Sequence, residues 1–379
     1  MISRKERCFV VILFGTLEYD GRVLRIIEIL QRMGRVVVID TSSVESSESS
    51  VDHKRVILPK NVGFISRHLR FWLAAIRQVI RLRPDAVIAE DFFAALPGWA
   101  AGKLVNARVV YDAHELIIPD RRWPTGKRSH FWYMLERWVV PRSDLVIAAN
   151  VERARLMAEH YNLSEAPEFM RNIPPVKEAC LTTEEALAKY PVLNRQSEQD
   201  RIVLYQGDIS LARGLSRFIE ALKYLPKNCR LILVGDGPDL DALKQLGETF
   251  FREGRFTALG RVPNHLLSSI TRLADVGIVT YPFEGLNNIY CAPNKIFEYA
   301  QAGLPVIATN QPTIHALVNH YQIGELISRQ EGPSELAEAI QKIVYNLPTY
   351  RSRLPGFVLQ HQWEDEAERV HHRILALFD

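Results

Sequence analysis

Short aliphatic, β-branched runs recur along the chain between amphipathic stretches, and this rhythm limits the fold more than any other feature. The runs are Cys8–Phe14, Val36–Asp40, Ala86–Glu90, Val109–Asp112 and Leu145–Ala149, then Ile202–Gln206, Leu231–Val234, Val276–Thr280 and Val306–Ala308. Each is continuously apolar rather than alternating, as in a strand buried on both faces. Buried strands alternating with helices predict an α/β chain with parallel sheets. From Val176 to Asp200 the rhythm breaks into polar sequence. The expected division is therefore a first domain over 1–175, a linker over 176–200 and a second domain from 201.

The halves echo one another. The first opens FVVILFG, then a loop and GRVLRIIEIL; the second opens RIVLYQG, then a loop and GLSRFIEAL. A glycine after a strand lets the backbone turn and approach a ligand, and a helix N-terminus behind it favours an anion. Any βα turn also favours glycine, so each loop alone says little. Two such loops predict two Rossmann-like domains with a ligand in a cleft between them, at the carboxyl ends of the strands.

Composition narrows the class. With 47% apolar and 24% charged residues over 379 positions, the chain is neither disordered nor collagenous. Four scattered cysteines (Cys8, Cys180, Cys229, Cys291) form no disulfide framework or thiolate zinc motif and fit a reducing cytoplasm. The N-terminal MISRKERCFVVILFG mimics a secretory signal, but its apolar stretch is short and reads better as a first strand. No apolar run approaches the roughly 20 residues that span a bilayer. The net charge of +3 hides an uneven distribution, because residues 53–83 carry eight Lys/Arg and no acid.

Several chemistries are absent: there is no full G-x-G-x-x-G, Walker A, H-E-x-x-H or G-x-S-x-G pattern. Asp239-Leu240-Asp241 spells D-x-D but opens a helix, where carboxylates suit the dipole. The informative segment is PNKIFEYAQAGLPVIATN, from Pro293 to Asn310. Proline suits a first helical turn. Asn294 and Lys295 then lie where an anion would bind, and Glu298 falls one turn on, where a carboxylate can accept both hydroxyls of a ribose. The plainer reading is an amphipathic helix with a solvated Lys–Glu pair.

The runs LVGDGPDLDAL, FTALGRVPNHLLSSITRLADVGIVTYP and PNKIFEYAQAGLPVIAT together resemble the donor-binding domain of GT-B glycosyltransferases, in particular the GT4-type group. EYDGRVLRIIEILQRMG, VVYDAHEL and RNIPP are similar to that group's acceptor-side and linker motifs, and WEDEAERVHHRILALF to its final helix, which returns over 356–379 to the first domain. The resemblance implies a nucleotide-diphosphate sugar as co-substrate, retention at the anomeric carbon and no metal. It gives Glu298 the ribose-binding role of the second glutamate of an E-x7-E motif; the first is absent, its position being Tyr290. Arg213 stands before Gly214 where the group has Lys-Gly, Gly207 opens the phosphate loop, and Lys295 is a replacement cation. His114 matches a histidine near the transferred sugar. Asp112 and Glu115 flank it as groups that act, orient the ring or cap the next helix. Gly15 and Thr16 face the donor phosphate or the acceptor from the other wall.

The segment RHLRFWLAAIRQVIRLR places Leu69, Trp72, Leu73, Ile76, Val79 and Ile80 on one helical face, flanked by Arg70, Arg77 and Arg81. With Arg121, Arg122 and Trp123 these form a candidate contact for an anionic membrane surface. The alternative is that the apolar face packs on the sheet and the arginines are simply solvated. No nucleic-acid module is visible. The expected function is transfer of a sugar to a lipid-linked or glycan acceptor by a cytoplasmic, membrane-peripheral enzyme. A nucleotide-sugar epimerase on the same fold and a non-catalytic nucleotide-sugar-binding subunit are the alternatives.

Overall fold

A computed structural model describes residues 6–41, 51–59, 61–120, 126–176 and 178–379. The chain divides into two compact units, Met1–Asn172 with Glu364–Asp379, and Ile173–Trp363.

The first unit is built on a seven-stranded sheet in the order β3-β2-β1-β4-β5-β6-β7. The strands are β1 (Arg7–Leu13), β2 (Gly34–Asp40), β3 (Asp52–Arg55), β4 (Ala86–Glu90), β5 (Arg108–Ala113), β6 (Leu145–Ala148) and β7 (Glu168–Phe169). Every pairing is parallel, and the register sets Leu13 beside Glu90 and Glu90 beside Asp112 at the carboxyl edge. Helices α1 (Gly21–Gln31), α2 (Phe64–Leu82), α3 (Asp91–Val105), α4 (Lys127–Val139) and α5 (Val151–Tyr161) connect the strands. Helix α1 starts where Asp20 caps it, accepting from the backbone N–H groups of Arg22 and Val23.

The second unit has a six-stranded parallel sheet in the order β10-β9-β8-β11-β12-β13. Its strands are β8 (Arg201–Gln206), β9 (Cys229–Val234), β10 (Phe256–Gly260), β11 (Val276–Val279), β12 (Val306–Thr309) and β13 (Gly324–Ile327). Two parallel α/β sheets of this kind are the two Rossmann-like domains of the GT-B fold.

Two boundaries differ from expectation. The stretch 176–200 is not a bare linker. It contains α6 (Thr183–Lys189), fastened by a Thr182/Glu185 capping box, and it buries Leu193 in the second unit's core. Nor does the returning segment begin at 356. The helix Leu354–Gln360 buries Leu354 and Phe357 in the second unit, with Phe357 stacked 5.7 Å from Phe297. Only Glu364 onward joins the first unit. There Glu366 accepts from the backbone N–H and the Nε of Arg171, at 2.9 and 2.7 Å, and the Arg7 guanidinium lies 4.7 Å over the Phe378 ring.

Candidate functional site

On the second unit the sequence-derived donor residues converge at the carboxyl end of β8. Gly207 follows that strand with φ +129°, a conformation that strains any side chain, and a Cβ there would stand 2.6 Å from Lys295 Cε. Gly235, after β9, has φ +141°, and its missing Cβ would lie 1.9 Å from the Gly207 carbonyl oxygen. The two loops therefore stack backbone on backbone, and Lys295 fills the space left above them.

Lys295 opens the helix Lys295–Gln301, and Pro293 sits just before that helix rather than in its first turn. Its ammonium is buried, 5.5 Å from the Tyr205 ring, and among the described residues no carboxylate comes within ion-pair distance of it. Burial, with Arg213 beside it, pushes Lys295 down to about 8. Arg213 stacks on Tyr281 at 4.7 Å and reaches Asp208 only at 4.0 Å; Gly214 follows it with φ +69° and leads into α7 (Leu215–Ala221). Two adjacent cations without a close carboxylate are arranged for an anion of more than one charge.

One turn along, Glu298 accepts from Gln206 Nε2 at 2.7 Å and from the exposed Asn294 Nδ2 at 3.2 Å. Gln206 is itself fixed, because Thr271 Oγ1 donates to its Oε1 at 2.8 Å and its backbone N–H donates to the Tyr299 hydroxyl at 3.0 Å. The carboxylate is thereby held at a set height above the cations. Gln206, Thr271 and Tyr299 lie within the quoted segments, but nothing in local spacing assigned them a role, because their contacts join residues up to 93 positions apart.

On the first unit, Asp112 is fully buried and does not face solvent as a reacting group would. Its two oxygens accept from Arg22, Nη2 at 2.6 Å and Nε at 2.9 Å. Burial alone would make it a weaker acid, but the guanidinium holds Asp112 well below the usual carboxylate range. Arg22 continues to the Met170 carbonyl at 2.6 Å, so this pair ties α1, β5 and the segment after β7 together. Asp112 thus sits between the Arg22 guanidinium and His114 Nε2, 3.5 Å from the latter.

His114 is half-buried, with Nε2 2.8 Å from Glu90 Oε2 and 3.5 Å from Asp112 Oδ2, and Nδ1 3.8 Å from Asp20 Oδ2. Burial would lower its basicity, yet the hydrogen bonds and charges of Asp112 and Glu90 raise it well above the ordinary histidine value. Burial and the Asp112 charge push Glu90 up to about 8. Glu90, Asp112 and His114 bring three donor atoms within 4.8 Å of one another, the spacing of a metal set. Within this set Asp112 already pairs with Arg22 at 2.6 Å. Glu115 is exposed, and Arg153, which donates to the His114 carbonyl at 2.7 Å, reaches the Glu115 carboxylate only at 3.9 Å. Gly15 is not in a left-handed conformation, and a Cβ there would make ordinary contact with Leu13. Its carbonyl accepts from Thr41 N–H at 3.0 Å, and Thr16 leads into a short 3-10 turn without a side-chain cap. Asp20, Arg22 and Glu90 went unread because their partners lie far away in sequence.

Helix α2 differs from expectation. The face it buries is His68, Phe71, Ala75 and Val79. Leu69, Leu73 and Ile80, placed by the sequence on the candidate membrane-contact face, are exposed, as is Ile65, while Val79 of that face is buried. Ile65, Leu69 and Leu73 at i, i+4 spacing, with Ile80 seven residues further on, form an apolar stripe beside exposed Arg70, Arg77 and Arg81. Trp72 is half-buried; its indole N–H donates to the Phe93 carbonyl at 3.1 Å, so the ring is held inward. Arg121, Arg122 and Trp123 lie outside the described residues. Among the described residues no helix is long and apolar enough to cross a membrane.

The two parallel sheets define the GT-B fold, and the family matches give the glycosyltransferase class. Residues 200–346 match "Glycosyl transferases group 1", and residues 21–169 match the "Glycosyl transferase 4-like domain". Together these matches span most of the chain, which belongs to the GT4-type group 1 glycosyltransferases. In Bacillus subtilis (strain 168), the protein assigned as the teichuronic acid biosynthesis glycosyltransferase TuaC is 27% identical over 142 residues, 38% of this chain and 32% of that one. The chain spans about a third of the length of the curated relatives it matches. Among solved structures, WaaG, a glycosyltransferase involved in lipopolysaccharide biosynthesis, superposes with TM-score 0.74 at 16% identity, covering 96% of this chain and 98% of its own. Anabaena HepE, solved with UDP and glucose, gives 0.74 at 17% identity, covering 98% and 100%. At these identities the likeness is one of fold.

Proposed function

We propose that this protein transfers a sugar from a nucleoside-diphosphate donor to a glycan or lipid-linked acceptor, in the synthesis of a cell-surface polysaccharide or glycolipid, with retention at the anomeric carbon and without a metal ion. The observation that carries the reading is the pairing of two cations, Lys295 with no carboxylate in ion-pair reach among the described residues and Arg213 reaching Asp208 only at 4.0 Å, with a carboxylate one turn along, Glu298. Phosphate oxygens suit the cations, and ribose hydroxyls suit the carboxylate. As the diphosphate departs it gains negative charge, and a buried ammonium and a stacked guanidinium stabilise that charge more than they stabilise the intact donor. HepE, which shares the fold, is solved with UDP and with UDP-glucose, in keeping with such a donor.

In this reading the first unit receives the acceptor. The exposed stripe of Ile65, Leu69, Leu73 and Ile80 beside Arg70, Arg77 and Arg81 supports an anionic membrane surface as its partner, and hence a peripheral place on the cytoplasmic face. Calorimetric titration with UDP, GDP and their sugars, on the parent protein and on Glu298→Ala, tests the donor site. Binding by the parent that Glu298→Ala loses supports it, and no binding of any nucleotide by the parent sinks it. Turnover decides the rest. A new sugar nucleotide formed without acceptor would mark an epimerase, and binding without product a non-catalytic subunit, the outcome that Tyr290 in place of a motif glutamate favours.

A further inference from the structure

We propose that Glu90 is a positioning residue: its carboxyl group engages Nε2 of His114 at 2.8 Å and so turns the opposite ring nitrogen, Nδ1, outward as a hydrogen-bond donor to a substrate hydroxyl. This rests on the transferase reading. Glu90 is 1% exposed at the end of β4, in register with Asp112, and Oε1 of its carboxyl group is buried without a hydrogen-bond partner. Such a group is costly to keep unless it holds something in place. Its neighbour Asp91 has the left-handed φ of 60°, a strain that fixes the chain at this point of the edge.

Proton bookkeeping gives the arrangement its meaning. Glu90 and the imidazole compete for the proton between Oε2 and Nε2. With two protons on the pair, Nδ1 carries one whichever side of that bond the other occupies. When the pair loses a proton, Nε2–H donates to the carboxylate and Nδ1 is bare. Every charged group facing the ring bears on this equilibrium. Asp20, from the loop before α1, lies against Nδ1 and favours its proton, and Asp112 lies against Nε2 and does the same. Arg22 cancels much of Asp112, while Asp91 and Glu115 add negative potential and Arg153 opposes it. Five carboxylates, Glu90, Asp20, Asp112, Asp91 and Glu115, against Arg22, Arg153 and His114 leave the centre unsuited to a phosphate and suited to a hydroxyl.

The test reads the ring itself. Imidazole nitrogen chemical shifts of histidine-labelled protein, assigned with His114→Ala, are followed against pH in the parent and in Glu90→Gln. The parent should carry a proton on Nδ1 at pH 7. In Glu90→Gln the loss of that proton should move down by about one pH unit or more. The alkaline limb of turnover should move with it while the KM for nucleotide donor stays unchanged. A bare Nδ1 in the parent at pH 7, or an unmoved transition in the variant, overturns the proposal. If Glu90→Gln does not fold, the parent's Nδ1 state decides. If no donor supports transfer, the transferase reading fails, and the ring titration still reports on Glu90.

Discussion

Replacing Lys295 with methionine should make the empty protein more stable and weaken its nucleotide site. The ammonium is 8% exposed, with Arg213 near it and no close carboxylate. Burial, with Arg213 adding to it, pushes Lys295 down from 10.5 to about 8. At about 1.4 kcal/mol for each tenfold in proton affinity, the charged form costs the folded state about 3 kcal/mol. The sign follows from proton counts. Below pH 8 both states hold the proton and the cost is present in full. Between about 8 and 10.5 only the unfolded chain holds it, so stability rises with pH, and above that window the cost has gone. Methionine keeps the length of the side chain and removes the charge. Scanning calorimetry should show the second unit's transition about 6 °C or more higher at pH 7 in Lys295→Met, with the gap closing towards pH 10.5. Isothermal titration should show UDP affinity falling about 10- to 100-fold, the worth of a charged hydrogen bond. A variant that melts below the parent at pH 7 and still binds UDP equally well would refute the reasoning, making Lys295 a structural prop.

Three other outcomes follow from the same geometry. Glu298→Ala should weaken UDP binding by about 10-fold or more, and 2′-deoxy-UDP should lose affinity against the parent but no further against the variant, a double-mutant cycle that isolates the ribose contact. Asp112→Ala strands the buried Arg22 guanidinium and should cost the first unit about 3–5 kcal/mol in denaturant unfolding. Tryptophan fluorescence reports that unit, because five of the six tryptophans lie before residue 173. Since Asp112 is held below the usual carboxylate range, the stability it contributes is present above that range and is lost only as pH falls through its lowered value, so the parent's advantage should persist from pH 7 to about 4. Leu69→Asp with Leu73→Asp should abolish co-sedimentation with phosphatidylglycerol vesicles, without shifting the melting transition, because both residues are exposed.

The strands legible in the sequence and those missed divide along a physical line. All nine runs first read as strands occur, and the four strands not foreseen, β3, β7, β10 and β13, are the four sheet edges. An edge strand pairs on one side only and does not need the continuous apolar run that reveals a central strand. The site divides in a similar way. Lys295, Glu298 and Gly207 were readable because helix spacing and loop glycines act locally, and Arg213 through the family resemblance. Arg22 with Asp112, and Glu90 with His114, span 90 and 24 positions, and only the parallel register brings them to one edge. Helix α2 left two readings open for a different reason: both its faces are apolar, and composition cannot tell which one the sheet takes.

The first unit is discontinuous in sequence, since Glu364–Asp379 joins it only after the whole of Ile173–Trp363. During synthesis the second unit can close on itself while the first still lacks its last helix, along with the Glu366 that Arg171 requires. The order of maturation is thus inverted with respect to the order of translation. The domain begun first is finished last, and until then the nascent chain presents a nearly complete sheet to the folding machinery of the cell.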